Sequence, residues 1–257
     1  MNPITLLQPP RIVFGNGCAP QCAEFLAQRG CRRVLLVSSS PVLPLLGAVT
    51  DALEKSRVVM VAAPAVDAEP TLSRFETIRQ VAGAEKVDGV LGIGGGSVID
   101  TAKLAAALAD GKQTVREVFG INLLAGRELP LVCLPTTAGT GAEVSPNAIL
   151  LDEAEELKKG VVSPQLVPDA AFIDPLLTLS VPPDVTAATG FDALTHCIEA
   201  YANKFAHPIV DVCALQGVKL ISANLLRAVR DGGDIEARAA LALGSLYGGL
   251  CLGPVNT

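Results

Sequence analysis

Runs of apolar residues alternate with segments of helical periodicity along most of the chain. Five runs carry apolar side chains with little polar alternation, as expected for strands: 33–39, 57–63, 88–94, 129–136 and 170–175. Such runs are typical of strands buried on both faces of a parallel sheet that helices cover. Between them, residues 73–86 and 98–111 have the 3.6-residue period of helices. This part of the chain is therefore predicted to be an α/β domain.

The pattern changes after Pro182 and Pro183. No strand-like run recurs beyond this point, and three helical segments follow: 184–203, 207–229 and 234–250. We therefore predict an α/β domain over 1–180 and an all-α domain over 181–257. The apolar helix 237–252 has no polar tail behind it. We expect the chain to be incomplete and this helix to expose a hydrophobic face.

Composition and charge argue against several classes of protein. The net charge of −6 and the absence of a basic cluster interleaved with aromatic residues predict no nucleic-acid partner. The richest apolar runs, such as 42–49, are shorter than the roughly 18 residues that span a bilayer, so we expect no membrane partner. The N-terminus lacks the pattern of a secretion signal. The seven cysteines contain no C-x-x-C pair, which favours reduced, buried thiols in a cytoplasmic protein.

Three consecutive glycines, Gly94, Gly95 and Gly96, lie between a predicted buried strand and a predicted helix. A strand that enters a glycine turn and opens a helix directs free N–H groups and the helix dipole to one point, which suits a pyrophosphate. Ser97 could cap the helix or donate to a phosphate oxygen. The alternative is a tight turn that needs positive φ and binds nothing. The spacing is not G-x-G-x-x-G, so that fingerprint does not apply.

A second polar loop, LPTTAGTGAEVSPNA at 134–148, follows another predicted strand. The hydroxyls of Thr136, Thr137 and Thr140 suit the phosphates, riboses or ring of a nucleotide, although such a loop by itself is often only a connection. Two such loops at the carboxyl ends of parallel strands are more informative, because open α/β sheets bind ligands there.

Asp192 and His196 stand four residues apart in a predicted helix, so they share a face and could bind one metal ion. The spacing by itself is weak evidence, because His207 and Asp211 show it in reverse. Pro208 suits the first position of a helix, which predicts that His207 is a structural residue just before a helix start.

Four stretches, GGGSVIDTAK, PTTAGTGAEVSP, PDAAFIDPLLTLSVPP and TAATGFDALTHCIEAY, resemble the iron-containing (group III) alcohol dehydrogenases. The resemblance implies a dehydroquinate synthase-like architecture with an N-terminal domain that binds NAD or NADP and a helical C-terminal domain. It also implies one divalent metal, Fe²⁺ in preference to Zn²⁺, and a homo-oligomer, commonly a dimer. The implied reaction interconverts a small alcohol and an aldehyde or ketone by hydride transfer to or from the cofactor.

The resemblance also assigns residues to the site. The implied cofactor-binding set is Ser39, Gly94, Gly95, Gly96, Ser97, Thr136, Thr137, Thr140 and Lys158. Asp192 and His196 match the first two metal ligands, and no catalytic side chain is implied beyond the ligands. Two further histidine ligands of the family are expected in a segment after Thr257.

Some positions depart from the family pattern. Where many members have Asp at the end of the second core strand, this chain has Ser39, which leaves NADP possible. Where many read Pro-Asn-Pro-Thr, this chain has Ala68, Glu69, Pro70 and Thr71, so the assignment near the adenosine is weaker. Val98 stands where many have a helix-start proline.

Two alternatives remain. The related maleylacetate reductases lack the metal-ligand pattern and have a different threonine loop, so Asp192, His196 and the Thr-Ala-Gly-Thr-Gly loop argue against them. A nucleotide-binding module without catalysis is favoured for the printed chain, since its sequence supplies only two ligands of the family's metal site. Metal content distinguishes a module from a dehydrogenase.

Overall fold

The computed structural model describes residues 3–255. The strands in this range are β1 (Arg11–Phe14), β2 (Arg33–Ser38), β3 (Val59–Ala62), β4 (Gly89–Gly94), β5 (Gly120–Ile121), β6 (Leu131–Pro135), β7 (Asn147–Asp152), β8 (Leu157–Val162) and β9 (Ala170–Ile173). The helices are α1 (Gln21–Gln28), α2 (Gly47–Lys55), α3 (Leu72–Ala84), α4 (Gly96–Leu108), α5 (Pro183–Ala202), α6 (Pro208–Arg230) and α7 (Ile235–Val255).

Six strands form a parallel sheet in the order β1, β9, β6, β4, β2, β3. Every residue of β4, β6 and β9 is buried, and so is β2 after its first residue, as their unbroken apolar runs predict. The expectation of burial on both faces is wrong for β3. This strand lies at the edge of the sheet with β2 as its neighbour, and Val59 is 53% exposed.

Helices cover both faces of this sheet, which confirms the predicted α/β class. Successive residues of β4 point to opposite sides, so Val90 joins a core that includes Phe75 of α3 and Ile99 of α4, whereas Leu91 joins a core that includes Leu26 of α1. The sheet therefore has a hydrophobic layer on each face, and its strand ends are the places left for polar loops.

The hydrophobic pattern misses β1, α1, α2 and a second, three-stranded sheet in the order β5, β8, β7. The β7–β8 hairpin is antiparallel and pairs Asn147 with Val162 through Asp152 with Leu157. Lys158 is exposed and Lys159 is half-buried, and these two charged residues interrupt the apolar run expected of a buried strand. The hairpin attaches to α4 where the Ile149 amide donates to Asp100 Oδ2 at 3.0 Å.

Three long helices follow β9, as the sequence predicts. The expected exposed face on 237–252 is wrong, because α7 is largely buried and carries none of the large exposed apolar side chains. Such side chains lie on α5 and α6 and on the loop between them, and include Phe191, Ile198, Phe205, Val212 and Leu226. By length and composition alone, α6 and α7 also qualify as membrane spans, a test that buried core helices pass as well. The domain division near residue 180 stays a prediction.

The seven cysteines, all within the described residues, are free thiols, and six of them are buried. Burial raises the pKa of Cys22 and of Cys133 to about 12, because the thiolate is poorly solvated in the core. These thiols stay protonated at neutral pH. The expected burial is confirmed for six cysteines, and Cys213 is half-buried.

A buried lysine joins α4 to the loop that follows β6. Lys103 is fully buried, and its ammonium donates to Ser145 O at 2.8 Å, to Ser145 Oγ at 3.2 Å and to Asn147 O at 2.8 Å. Three acceptors satisfy the three donors of the ammonium group. Desolvation lowers the pKa of Lys103, and the nearby carboxylate of Asp100 opposes that shift.

Glu143 lies in the same loop, only 3% exposed, and burial raises the pKa of its carboxyl from 4.5 to about 7. A hydrogen bond from its own backbone amide and the positive charge of Lys103 partly oppose this rise in pKa. A carboxyl in this position binds a proton more tightly in the folded chain than in the unfolded chain.

We expect Lys103→Met to destabilise the chain by about 2–4 kcal/mol, because it leaves the three acceptors buried without a donor. Urea unfolding measures the loss. The matched control is Lys112→Met, since Lys112 is 69% exposed and forms only surface ion pairs with Asp110 and Glu128. This control should cost less than about 1 kcal/mol. Equal losses for the two variants would contradict the structural role of Lys103.

We expect Glu143→Gln to flatten the pH dependence of stability. Between pH 4.5 and 7 the folded chain retains a proton that the unfolded chain has released, so Glu143 makes stability fall as pH rises through this window. The fall amounts to at most about 3 kcal/mol. Urea midpoints at pH 5 and pH 8 test this, with the exposed Glu153→Gln as control. An unchanged slope in Glu143→Gln excludes the assigned pKa.

Candidate functional site

The glycine turn joins β4 to α4 without a left-handed residue. Gly95 is the N-cap of α4, with φ −75° and ψ −177°, and neither Gly94 nor Gly96 has positive φ. The explanation that the turn needs positive φ is therefore wrong. Ser97 lies in the first turn of α4 and makes no capping hydrogen bond, so its predicted capping role is also wrong.

The three positions differ in how much room they leave for a side chain. A Cβ on Gly94 would lie 2.6 Å from Val98 Cγ2, and a Cβ on Gly96 would lie 2.9 Å from Thr140 Oγ1, so a side chain at either position would force its neighbour to move. A Cβ on Gly95 would meet only Thr137, with Oγ1 at 3.5 Å, which is an ordinary contact. The fold alone would therefore accept a side chain at Gly95. The space in front of it suits a ligand that approaches the amino end of α4.

The threonine loop, residues 136–147, lies between this turn and the helical region. Thr140 faces Gly96 as described above, while Gly139 packs so closely on α5 that an added Cβ would lie 3.0 Å from Thr189 Cβ. On the other side, Ser245 of α7 donates to Gly139 O at 3.0 Å. The loop therefore contacts both the glycine turn and α5.

The three predicted threonines differ in exposure. Thr136 is 4% exposed, and its amide continues the sheet by donating to Gly94 O at 3.0 Å. Thr137 is half-buried and Thr140 is exposed, and the Thr140 hydroxyl accepts from the Ala142 amide at 3.2 Å. Thr137 and Thr140 are therefore available to a ligand, whereas Thr136 mainly holds the loop in place.

Ser39 and Lys158 are the remaining predicted cofactor-binding residues. Ser39 directly follows β2 and is half-buried. Lys158, on β8, is exposed and forms an ion pair with Glu69 at 2.9 Å. This pairing follows from the topology, because Leu151 pairs with Lys158 and forms a bridge with Thr71. Glu69, which departs from the family pattern, is thus the ion-pair partner of Lys158, a member of the predicted cofactor-binding set.

Asp192 and His196 face each other on α5. Asp192 Oδ1 lies 3.6 Å from His196 Nε2, and the side chains are 46% and 22% exposed. This separation is long for a hydrogen bond, but it suits two ligand atoms that each lie about 2.1 Å from one ion. His196 Nδ1 is buried without a hydrogen-bond partner. The pair fits part of a divalent-metal site, although residues 3–255 bring no three His, Cys, Asp or Glu side chains together for a metal.

His207 has a structural role, as its position before Pro208 predicts. It is the N-cap of α6, and its Nδ1 accepts from the Ile209 amide at 3.2 Å. Asp211 lies in the first turn of α6, where the positive end of the helix dipole stabilises a carboxylate.

Sequence reasoning missed Lys103 and Asp67. Lys103 stands on an apolar face of α4, and a charged residue at such a position indicates a buried partner. Asp67 lies in the loop after β3 and accepts two hydrogen bonds from Ser40, next to Ser39. Only the pairing of β2 with β3 brings these distant positions together, so the local sequence gives no indication of the contact between Asp67 and Ser40.

Comparison with known proteins gives two consecutive family matches. Residues 9–175 match the iron-containing alcohol dehydrogenases, and residues 186–257 match the C-terminal region of the same family. The long-chain-alcohol dehydrogenase 1 of Geobacillus thermodenitrificans is 38% identical over 97% of this chain and 64% of its own length. The NAD-dependent methanol dehydrogenase of Bacillus methanolicus is 34% identical over 94% of this chain and 64% of its own length.

Solved structures share the fold. A crystal structure of 1,3-propanediol oxidoreductase superposes with a TM-score of 0.95 at 30% identity, over 99% of this chain and 67% of that one. The chain spans 64% of the length of each of the two curated relatives named above. The matches cover the glycine turn, the threonine loop and α5. The chain therefore belongs to the iron-containing alcohol dehydrogenase family.

Proposed function

We propose that the protein is a metal-dependent, NAD-linked dehydrogenase that interconverts a small alcohol and its aldehyde or ketone. One observation carries the proposal. The threonine loop touches the turn at Gly95 and Gly96 on one side and α5 at Thr189, one turn before Asp192, on the other. A cofactor on the turn and a substrate at the Asp192–His196 pair would therefore meet across this loop.

The chain's own residues bind and orient the reactants. The amides at the start of α4 and the α4 dipole hold the pyrophosphate, and Gly95 leaves room for it. Thr137 and Thr140 offer hydroxyls to the phosphates and the nicotinamide side. We assign Lys158 to the ribose from the family resemblance, and to bind there it would exchange its exposed partner Glu69 for the cofactor. Hydride transfer itself belongs to the cofactor, and the protein sets the geometry.

Asp192 and His196 would hold the metal as two of its ligands. When bound, a divalent ion supplies Lewis-acid polarisation of the substrate oxygen. The carboxylate of Asp192 contributes negative charge, and His196 presents Nε2 toward it, so this face of α5 favours a cation. Ser-His-Asp hydrolysis finds no support, because the sequence has no nucleophile elbow.

The finer assignments belong to the same proposal. We infer Fe²⁺ in preference to Zn²⁺ from family membership. A homodimer, a cytoplasmic location and the absence of nucleic-acid and membrane partners are inferred from the resemblance, the acidic composition and the free thiols. Ser39 carries no negative charge to repel the 2′-phosphate of NADP. Position 39 by itself therefore leaves NADP possible as a second cofactor.

A second candidate is a nucleotide-binding module without catalysis. One observation favours it, namely that the described residues bring only two metal-ligating side chains together. Metal content per chain separates the candidates, because a module needs none and a dehydrogenase needs about one ion.

We expect Gly95→Val to abolish NADH binding, and Gly95→Ala to weaken it by about tenfold or more, because each adds a side chain where the pyrophosphate approaches. Both variants should fold, since a Cβ at this position meets only Thr137. Fluorescence titration with NADH measures the change, and urea unfolding checks the fold. Gly83→Ala is the matched control, because its Cβ points into open space on α3. Unchanged NADH affinity in folded Gly95→Val would exclude the cofactor cradle.

We expect His196→Ala and Asp192→Asn each to weaken Zn²⁺ or Co²⁺ binding by about tenfold or more, since each removes one of two ligands. Competition with a chromophoric chelator measures affinity without any assay of turnover. His207→Asn is the control, because Asn preserves the N-cap of α6 while removing the chain's other imidazole. If His207→Asn lowers metal affinity as much as His196→Ala, the ligand assignment fails.

A further inference from the structure

The turn after β2 carries serine at both Ser39 and Ser40, yet a carboxylate lies directly against it. Asp67 Oδ1 accepts from the Ser40 amide at 2.6 Å, and Asp67 Oδ2 accepts from the Ser40 hydroxyl at 2.7 Å. The two residues are 27 positions apart in the chain. Asp67 therefore supplies, from another loop, the negative charge that the end of β2 lacks in its own sequence.

The loop that carries Asp67 is fixed across the end of β2. Its first residue, Ala63, donates to Leu36 O at 2.9 Å, and the buried Val66 donates to Ser38 O at 2.9 Å. Arg74 at the start of α3 donates through Nε to Ala65 O at 3.0 Å. These contacts hold residue 67 beside residue 40.

The end of β2 adjoins the glycine turn. β2 and β4 are neighbours in the sheet, with Ser38 opposite Ile93, and the Ser38 hydroxyl donates to Ile93 O at 2.7 Å. One strand spacing is about 4.8 Å. A dinucleotide whose pyrophosphate lies at Gly95 therefore extends its adenosine ribose over the end of β2, where Ser39 and Asp67 are found.

The charge of Asp67 is available to a ligand. The two hydrogen bonds from Ser40 lower the pKa of the Asp67 carboxyl, so it is ionised at neutral pH. Asp67 is exposed, and the charge of Arg74 also lowers its pKa, although no ion pair joins these two side chains within residues 3–255. Glu69, two residues later, differs because Lys158 already pairs with it. Each Asp67 oxygen keeps a free lone pair that can accept a ribose hydroxyl.

We propose that Asp67 determines cofactor specificity in the dinucleotide site of the proposed function, on which this inference rests. Its carboxylate accepts a hydroxyl of the adenosine ribose of NAD and repels the 2′-phosphate of NADP. An acidic group near the ribose has this effect in dinucleotide-binding folds when it follows the strand itself. Here a neighbouring loop provides it, so the protein prefers NAD to NADP although position 39 is serine.

The test is a comparison of NADH and NADPH dissociation constants, by fluorescence titration, for the wild-type chain and for Asp67→Asn. Asn keeps both contacts with Ser40, because its oxygen accepts from the amide and its nitrogen donates to the hydroxyl. We expect the wild type to bind NADH more tightly, and Asp67→Asn to reduce the preference by about tenfold, chiefly by tightening NADPH binding. Ser40→Ala, which loosens the carboxylate, should reduce the preference less.

Glu236→Gln is the matched control, since it removes the same charge from an 87% exposed side chain at the start of α7. It should leave the NADH to NADPH ratio unchanged. A wild type that prefers NADPH, or a ratio that Asp67→Asn does not move, overturns the role of Asp67 and leaves the dinucleotide site intact. A folded wild-type chain that binds neither cofactor overturns the proposed function itself.

Discussion

The close approach of the threonine loop to α4 and α7 is the constraint on which the rest of the structure depends. Gly141 has φ +62°, and a Cβ there would lie 2.5 Å from Gly249 Cα, so loop and helix meet backbone to backbone. The ammonium of Lys103 holds the far end of the same loop through Ser145 and Asn147. A side chain at Gly141 would be strained by its φ and blocked by α7. The α/β region and the helices are joined through these contacts.

This arrangement explains why polar chemistry collects along one edge of the sheet. The parallel strands β2, β4 and β6 end at Ser38, Gly94 and Pro135, side by side. Their faces are covered by apolar cores, so the strand ends are where backbone amides and hydroxyls reach solvent. The loops that begin there are therefore where the proposed dinucleotide would bind, and α5 contacts one of them at Thr189, three residues before Asp192.

Much of the fold is predictable from the sequence, because buried strands and long helices depend on local patterns. The runs at 33–39, 88–94 and 129–136 correspond to β2, β4 and β6, and the three C-terminal helices lie where periodicity places them. The hairpin of β7 and β8 is not predictable in this way, because its strands are half exposed and carry charged residues. The burial of α7 and the exposure of Phe191 on α5 also depend on which helices pack together.

For the candidate site, the sequence by itself determined the residue types and the order of the motifs, including Gly95, Thr140, Asp192 and His196, since each lies in a short local pattern. Tertiary structure decided which of them are available, as the burial of Thr136 illustrates. It also brought Asp67 to Ser40 and Glu69 to Lys158, because these pairs are joined only by neighbouring strands and loops. Hydrophobic periodicity specifies elements, whereas long-range charge and hydrogen-bond partners follow from how the elements pack.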